Sequence, residues 1–201
     1  MKRAEVTILT EEEKKGFEKP AIFTYSGKKI IVRDFNVDNI SIVDIAHSLS
    51  NICRFTGHSK EFYSVAQHSV LVADHLETLD QKRTGLLHDA TEAYLNDLAS
   101  PIKASIDLGE YKEMEDFYHG VINDRFNLEP ICPRIKQADL EALFTEKRDV
   151  LLHPNSEWGW GDEITRWDDK IVPLGPKQAK ILFLKRFSEL FPEESIDGII
   201  I

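Results

Sequence analysis

The sequence predicts a mainly α-helical domain that carries a small β-hairpin near its N-terminus. After residue 40, apolar residues recur at intervals of three and four, which is the period of an amphipathic helix. Before that point, two short β-prone runs flank Ser26-Gly27, a dipeptide typical of a tight turn. The 201 residues, of which 42% are hydrophobic and 30% charged, are typical of one globular domain with a buried core.

The first third of the chain contains the hairpin and two predicted helices. Residues 1–20 are polar and rich in Glu and Lys, so we expect an irregular lead-in before the hairpin in AIFTYSGKKIIV. SIVDIAHSLSNIC predicts a first helix that ends near Gly57. SVAQHSVLVADHL predicts a second helix, in which Ser64 and Gln67 have the spacing of a capping box.

The rest of the chain predicts four more helices and one long loop. Pro101 should end the third helix, and Pro133 is well suited to the first turn of the fifth. Residues 153–175 contain three Trp without a clear period, as in a lid or a packed functional loop. The predicted helices lie in LLHDATEAYLND, YKEMEDFYHGVINDRF, PRIKQADLEALFTEKRDVLL and, beginning at Pro176, AKILFLKRFSEL.

These elements divide the chain into three parts: a polar segment with the hairpin at residues 1–35, a helical domain at 36–190 and a tail at 191–201. No apolar run approaches the ~20 residues needed to cross a bilayer, and no apolar leader begins the chain. We therefore expect a cytoplasmic protein without a membrane partner. Cys53 and Cys132 form no CxxC pair and are expected to be small core residues in a reducing compartment.

The formal net charge of -10 excludes the usual nucleic-acid-binding surface, and no Lys/Arg stripe interleaved with aromatic residues is present. We therefore expect no nucleic-acid partner. An anionic substrate would also be repelled unless the local field were reversed. A bound divalent cation could provide that reversal.

Several ionisable residues lie on the apolar faces of predicted helices. His68 lies between Val65 and Val72, and Asp139 follows Ile135 by one helical turn. Taken alone, His68 is more typical of a buried neutral histidine with one hydrogen bond.

In the third predicted helix, His88, Asp89 and Glu92 are three and four residues apart and so share one side of that helix. Two His and two Asp from three helices can meet in the centre of a bundle, where metal sites are commonly built. Their mixed imidazole and carboxylate groups suit Mn, Fe, Co, Ni or Zn, and Mg is a further candidate.

The same residues resemble the HD-domain metal-dependent phosphohydrolases, whose metal-binding pattern is a His, then the pair His-Asp, then a distant Asp. His68, His88-Asp89 and Asp139 match that pattern, and the resemblance extends over residues 36–190. The segments RF (54–55), VAQHS (65–69) and HDATEAYLNDLASPIK (88–103) are similar to the small nucleotidase branch. That branch includes bacterial 5'-deoxynucleotidases, phage deoxynucleoside triphosphate hydrolases and an oxetanocin phosphohydrolase.

The resemblance implies an HD-domain helical bundle in which His68, His88, Asp89 and Asp139 hold the first metal. Glu92 matches the carboxylate that positions or deprotonates the attacking water in this branch. Asp97 matches the carboxylate expected to protonate the leaving oxygen or to support a second metal. From the residues alone, however, Asp97 in NDLASP is equally compatible with a helix-end cap that binds nearby amides.

The resemblance also implies substrate contacts. Arg54 matches a phosphate-binding Arg, and Phe55 occupies a position where relatives often carry a Trp near the sugar and base. His58 and Lys60 are candidates at the pocket mouth that would help a longer polyphosphate, and Lys103 is a further phosphate candidate. Taken alone, Arg54 is more typical of a surface residue, and a surface role is equally compatible with His58 and Lys60.

The function that this resemblance implies is metal-dependent removal of phosphate from (deoxy)nucleotides, as in a 5'-nucleotidase. Two alternative functions are compatible with the same motifs. One is hydrolysis of nucleoside triphosphates, with release of phosphate stepwise or as triphosphate. The other is a non-catalytic, nucleotide-binding HD module, while a helical interaction protein with buried ion pairs needs no metal at all. Relatives in the branch are often dimers, so a homo-oligomer is a further expectation.

Overall fold

The computed structural model describes residues 20–155, 157–161 and 163–194, so the expected lead-in before Pro20 and the tail after residue 194 lie outside the described residues. The described part is mainly helical with a single small antiparallel sheet, which confirms the predicted fold class. Within the described residues, no helix combines the length and apolar character required to cross a membrane.

The described elements run in chain order from the hairpin to the C-terminal helix, and all but two of the helices are longer than one turn. They are β1 (Ala21–Phe23), β2 (Lys29–Ile31), α1 (Ile42–Asn51), α2 (Val65–Asp74), α3 (Leu79–Leu87), α4 (Glu92–Leu95), α5 (Ser100–Lys103), α6 (Gly109–Phe126), α7 (Pro133–Val150) and α8 (Pro176–Leu190).

The predicted hairpin is confirmed, with β1 and β2 antiparallel and Ile22 opposite Ile30. Gly27 provides the positive φ of 85° at the turn, a conformation that costs glycine little. The turn is tied to α1, because the Ser26 amide and hydroxyl both donate to the buried carboxylate of Asp44.

Helix α2 lies at the centre of the bundle and packs against α1, α3, α7 and α8. Val65, Ala66 and Val72 on α2 are fully buried. Gly85 allows α3 to approach α2 closely, since a Cβ there would lie 2.4 Å from Leu76 Cδ1. A residue on α2 can therefore face side chains of several neighbouring helices at once.

Two helix predictions were wrong at their ends. The first helix ends at Asn51 and not near Gly57, and a 3₁₀ turn at Arg54–Gly57 follows it. Phe55 and Thr56 in that turn have left-handed backbone angles, which are unfavourable for non-glycine residues. The third predicted helix is not continuous either, because α3 ends at Leu87 and α4 begins at Glu92.

The later helices begin where the sequence predicts, at Pro133 and Pro176. Ser64 caps α2 by accepting from the Gln67 amide, whereas the Gln67 side chain bonds instead to the backbone of residues 172 and 174. Cys53 and Cys132 are half-buried free thiols.

Candidate metal centre

Four ionisable side chains from three helical segments converge beside α2. His68 on α2, His88 just after α3 and Asp139 on α7 place ligand atoms within 4.8 Å of one another. The Nε2 atom of His68 lies 3.0 Å from Asp139 Oδ1, and that of His88 lies 4.0 Å from the same oxygen. Asp89 completes the group, with carboxylate oxygens 3.7 Å from His68 Nε2 and 3.2 Å from His88 Nε2. The structure therefore brings the four predicted metal ligands together.

Each of the two imidazole rings is oriented by a hydrogen bond at its Nδ1 atom. His68 Nδ1 lies 2.6 Å from Glu146 Oε1, and His88 Nδ1 lies 2.7 Å from the Gly85 carbonyl oxygen. Because a carboxylate and a carbonyl can only accept, both Nδ1 atoms act as donors, so Nε2 is the ring nitrogen left to bind a cation. Neither Nε2 has a hydrogen-bond partner although both are buried. Two buried imidazole nitrogens without a hydrogen bond, next to two carboxylates, fit a divalent cation.

The interruption of the third helix positions His88 and Asp89. After Leu87 the chain continues in tight turns, in which the Ala90 amide donates to the Leu87 carbonyl and the Glu92 amide to that of Asp89. Thr91 is buried in this turn. His88 and Asp89 thus reach the cluster from a helix end, and not from one face of a continuous helix as the spacing predicted.

Glu146, which the sequence reasoning missed, lies fully buried beneath the cluster on α7. Its Oε1 atom accepts from His68 Nδ1 and, at 3.0 Å, from the Tyr63 hydroxyl. Its Oε2 atom accepts from Arg54 Nε at 3.1 Å and Nη2 at 2.9 Å. Four donors offset the cost of burying this charge. The available signal was its position seven residues after Asp139, on the same face of the helix.

The charges of the cluster change the proton affinities of its members. Burial and Arg54 lower the pKa of His68, but Glu146 and Asp139 outweigh them and raise it to about 9. Burial alone would raise the pKa of Asp139, whereas His68, His88 and Arg54 hold it below its usual range. Burial, together with Asp89 and Asp97, raises the pKa of Glu92 to about 9. These shifts show a tightly coupled site in which carboxylates crowd around two imidazoles.

A cavity of about 230 Å³ opens beside the cluster. It contains Glu92, whose Oε2 atom is buried without a partner, and the predicted Lys103, whose ammonium group lies 2.8 Å from Glu115 Oε1. The lining also includes three residues that lie in no motif and were not predicted as site residues: Glu115, His119 and Lys136. The full lining is His88, Asp89, Thr91, Glu92, Lys103, Glu115, His119, Ile131, Ile135, Lys136 and Asp139.

Four of the other predicted site residues lie outside the cavity lining. Arg54 contacts Glu146 and lies 5.6 Å from the centroid of the Phe55 ring. Neither residue lines the cavity, and neither do His58 or Lys60. Lys60 is instead directed to the end of α7, with Nζ 3.4 Å from the Asp149 carbonyl oxygen.

Asp97 is half-buried and also lies outside the cavity lining. Burial raises its pKa, with opposing contributions from Arg54, which lowers it, and Asp89, which raises it. It therefore lies within electrostatic range of the cluster. The hydrogen bonds of the described residues do not show Asp97 capping a helix.

The chain matches no protein-family model. It is 43% identical over 171 residues to the uncharacterized protein YfdR of Escherichia coli K12, an alignment that covers 84% of this chain and 94% of YfdR. It is 35% identical over 163 residues to an uncharacterized protein of Rhodobacter capsulatus, covering 75% of this chain and 81% of that protein.

Proposed function

The chain belongs to the same family as Escherichia coli YfdR, and we propose that it is an HD-type, metal-dependent phosphohydrolase that removes phosphate from nucleotides. The observation that carries this proposal is the convergence of the two unpartnered imidazole nitrogens of His68 and His88 on Asp139, within 4.8 Å. Asp89 lies against both rings. Buried imidazole nitrogens that face carboxylates and make no hydrogen bond suit a cation, which would compensate for their loss of solvation.

The chemistry of the four ligand side chains limits which cations can bind. Two imidazoles and two carboxylates suit Mn, Fe, Co, Ni or Zn, with Mg as a weaker fit. Bound there, the cation would polarise a phosphoryl oxygen and lower the pKa of a water molecule. Its charge would also offset the acidic residues that line the cavity and would otherwise repel a phosphate.

Glu92 and Asp97 are the proposed acid–base pair. Glu92 reaches into the cavity beside Asp89 with one unpartnered carboxylate oxygen, which suits a group that orients a water molecule and accepts its proton. Asp97, which is closer to solvent, is assigned the protonation of the leaving oxygen. Two carboxylates in different surroundings can divide such roles.

Arg54 is the proposed phosphate ligand on the side of the metal centre where Glu146 lies. Glu146 binds Nε and Nη2 of the guanidinium, so Nη1 is the nitrogen assigned to the substrate. Fixing one edge of the guanidinium reduces the entropy lost when the group binds a phosphate. Lys103 and Lys136 supply further positive charge along the cavity wall.

The cavity favours a monophosphate substrate over a triphosphate. His58 and Lys60, the residues expected to help a longer polyphosphate, do not line it. Lys103 is already paired with Glu115. With few cations available, a chain of three phosphates would be poorly neutralised, and so we place the 5'-nucleotidase reaction first.

This function is tested by a metal and substrate panel. The protein is stripped with a chelator, reloaded with Mn, Co, Ni or Mg, and offered deoxynucleoside monophosphates, ribonucleoside monophosphates and deoxynucleoside triphosphates while the products are resolved. We expect metal-dependent release of phosphate from monophosphates. Turnover of triphosphates alone would favour the second reaction. Bound metal and bound nucleotide without any turnover would contradict the enzyme proposal and favour a nucleotide-binding module.

Glu92→Gln is expected to abolish turnover and yet stabilise the metal-free protein at pH 8. The folded protein holds the pKa of Glu92 at about 9, so above the ordinary pKa of the unfolded chain Glu92 must take up a proton on folding, and this cost grows as the pH rises toward 9. A neutral amide of the same shape removes that cost, by about 1–2 kcal/mol at pH 8 and by less at pH 6. Thermal denaturation in chelator at both pH values, with a phosphate-release assay after reloading, measures the two effects.

The matched control for that experiment is Glu115→Gln. Glu115 lines the same cavity but is paired with Lys103, so its amide should give no stabilisation at pH 8. Wild-type turnover by Glu92→Gln would contradict the role given to Glu92. A stability gain equal at pH 6 and pH 8 would contradict the raised pKa.

A further inference from the structure

A second and larger cavity, of about 350 Å³, lies between the hairpin turn, α1 and α8. It shares no lining residue with the cavity at the metal cluster. Its size is within the range of cavities that hold small organic ligands. The lining residues are Tyr25, His47, Ser50, Asn51, Pro176, Lys177, Lys180, Ile181 and Leu184.

One wall of this cavity is held in place by a buried carboxylate. Asp44 is 3% exposed, and its two oxygens accept from the Ser26 amide at 2.6 Å and hydroxyl at 2.7 Å. This fixes the hairpin turn against α1. Tyr25, next to Ser26, consequently stacks on His47 with ring centroids 3.8 Å apart. An otherwise exposed hairpin tip is thus rigidly positioned at the cavity edge.

The charge of the lining is opposite to that of the whole chain. The chain has 35 acidic and 25 basic residues, but the lining includes Lys177 and Lys180 and no acidic side chain. Asp44, the nearby carboxylate, is already engaged by Ser26. Lys180 Nζ lies 4.2 Å from the Tyr25 ring centroid, and among the described residues neither ammonium group forms an ion pair. The two lysines are three residues apart on one face of α8, so both charges adjoin the same space.

The cavity also offers a backbone donor and an apolar surface. Pro176 and Lys177 belong to the first turn of α8, whose N-cap is Gly175 and therefore has no capping side chain. Pro176 has no amide hydrogen, so the first-turn amide on the lining is that of Lys177, and the helix N-terminus adds to the attraction for an anion. Ile181 and Leu184 provide apolar contacts one and two turns further along the same helix.

We propose that this cavity is a binding site for a small organic phosphate, with the phosphate on Lys177 and Lys180 and an apolar or planar body against Ile181 and Leu184. Two ammonium groups and the helix N-terminus suit a doubly charged phosphate better than a singly charged carboxylate. This site is separate from the proposed catalytic centre and does not depend on it.

The test uses the full-length, metal-free protein in EDTA, with phenyl phosphate, inorganic phosphate and benzoate as probes in calorimetric titrations. Phenyl phosphate should bind most tightly, inorganic phosphate more weakly, and benzoate most weakly. The double variant Lys177→Gln/Lys180→Gln should weaken phenyl phosphate binding by about tenfold or more. Lys185→Gln removes one positive charge from the same helix outside the cavity and should leave binding unchanged.

Two further variants locate the site. Tyr25→Ala, at a side chain 60% exposed, should weaken phenyl phosphate more than inorganic phosphate without affecting the fold. Asp139→Asn, in the metal centre, should leave phenyl phosphate binding unchanged. The proposal is overturned if neither phosphate binds, if Asp139→Asn abolishes binding while the lysine variants retain it, or if benzoate binds as tightly as phenyl phosphate.

Discussion

Asp139→Asn is expected to lower the affinity for a divalent cation by about 100-fold or more and to remove measurable phosphohydrolase activity, while the protein stays folded. Asp139 Oδ1 is the oxygen that lies near both imidazole nitrogens, at 3.0 Å and 4.0 Å, so its loss affects the whole ligand set. A neutral amide is a poor ligand for a transition metal. The side chain is 43% exposed, so the change leaves the core packing intact.

Calorimetric titration with Mn, together with melting temperatures with and without metal, measures this effect. Wild-type protein should gain stability with metal by mass action, and Asp139→Asn should not. Asp169→Asn is the matched control, because Asp169 lies 3.1 Å from His75 Nε2 in a solvent-exposed His–Asp pair elsewhere. Wild-type metal affinity in Asp139→Asn would contradict the assignment of the cluster as a metal centre.

The convergence of His68 and Asp139 could be predicted because it follows from helical periodicity. His68 shares a face with Val65 and Val72, and each of those valines is fully buried in the structure. A helix packed on several sides must direct such a face toward its neighbours. For these two residues it is enough that each helix buries its apolar face, whereas His88 and Asp89 reach the cluster from the end of α3.

The interruption after Leu87 could not be predicted from local sequence. Residues 88–91 contain neither Gly nor Pro, and their apolar pattern is compatible with a continuous helix. The left-handed conformations of Phe55 and Thr56 are a similar case, since non-glycine residues rarely adopt them. In both places tertiary packing decides the backbone, and both adjoin proposed site residues, where local strain is commonly retained.

Glu146 was missed for a different reason. It lies in the charged segment TEKRD, which is typical of a solvated helix face. A buried carboxylate can be identified only through its partners, and those partners, Tyr63, His68 and Arg54, come from other segments of the chain. Its position seven residues after Asp139 places it on the same face of α7 but does not by itself distinguish it from an exposed glutamate.

Glu146→Ala is expected to destabilise the protein by about 3–5 kcal/mol, because it leaves Arg54 and His68 buried without their acceptor. Glu146→Gln should be milder in stability but should still lower metal affinity by about 10–100-fold. A glutamine has one acceptor oxygen and cannot serve both His68 Nδ1 and the Arg54 guanidinium. If the glutamine oxygen faces one of these two groups, the amide NH₂ group, which is a donor, faces the other.

Tyr63→Phe provides the control, since it removes one of the four hydrogen bonds and leaves the contact between His68 and Glu146 in place. It should cost about 1 kcal/mol of stability with little change in metal affinity. Denaturant unfolding measures the stability of Glu146→Gln and Tyr63→Phe, and titration with Mn measures their metal affinity. Equal metal affinity in Glu146→Gln and wild type would show that Glu146 only stabilises the fold.

The double variant Arg54→Gln/Glu146→Gln distinguishes the two roles of Glu146 most directly. Arg54→Gln alone leaves part of the Glu146 charge buried and uncompensated, so removing both charges should recover some of the lost stability. Metal affinity should instead fall below that of Arg54→Gln, because only the double variant removes the carboxylate that holds the His68 proton on Nδ1 and leaves Nε2 to bind a cation. Stability and metal affinity would then move in opposite directions between Arg54→Gln and the double variant, which a purely structural role for Glu146 does not predict.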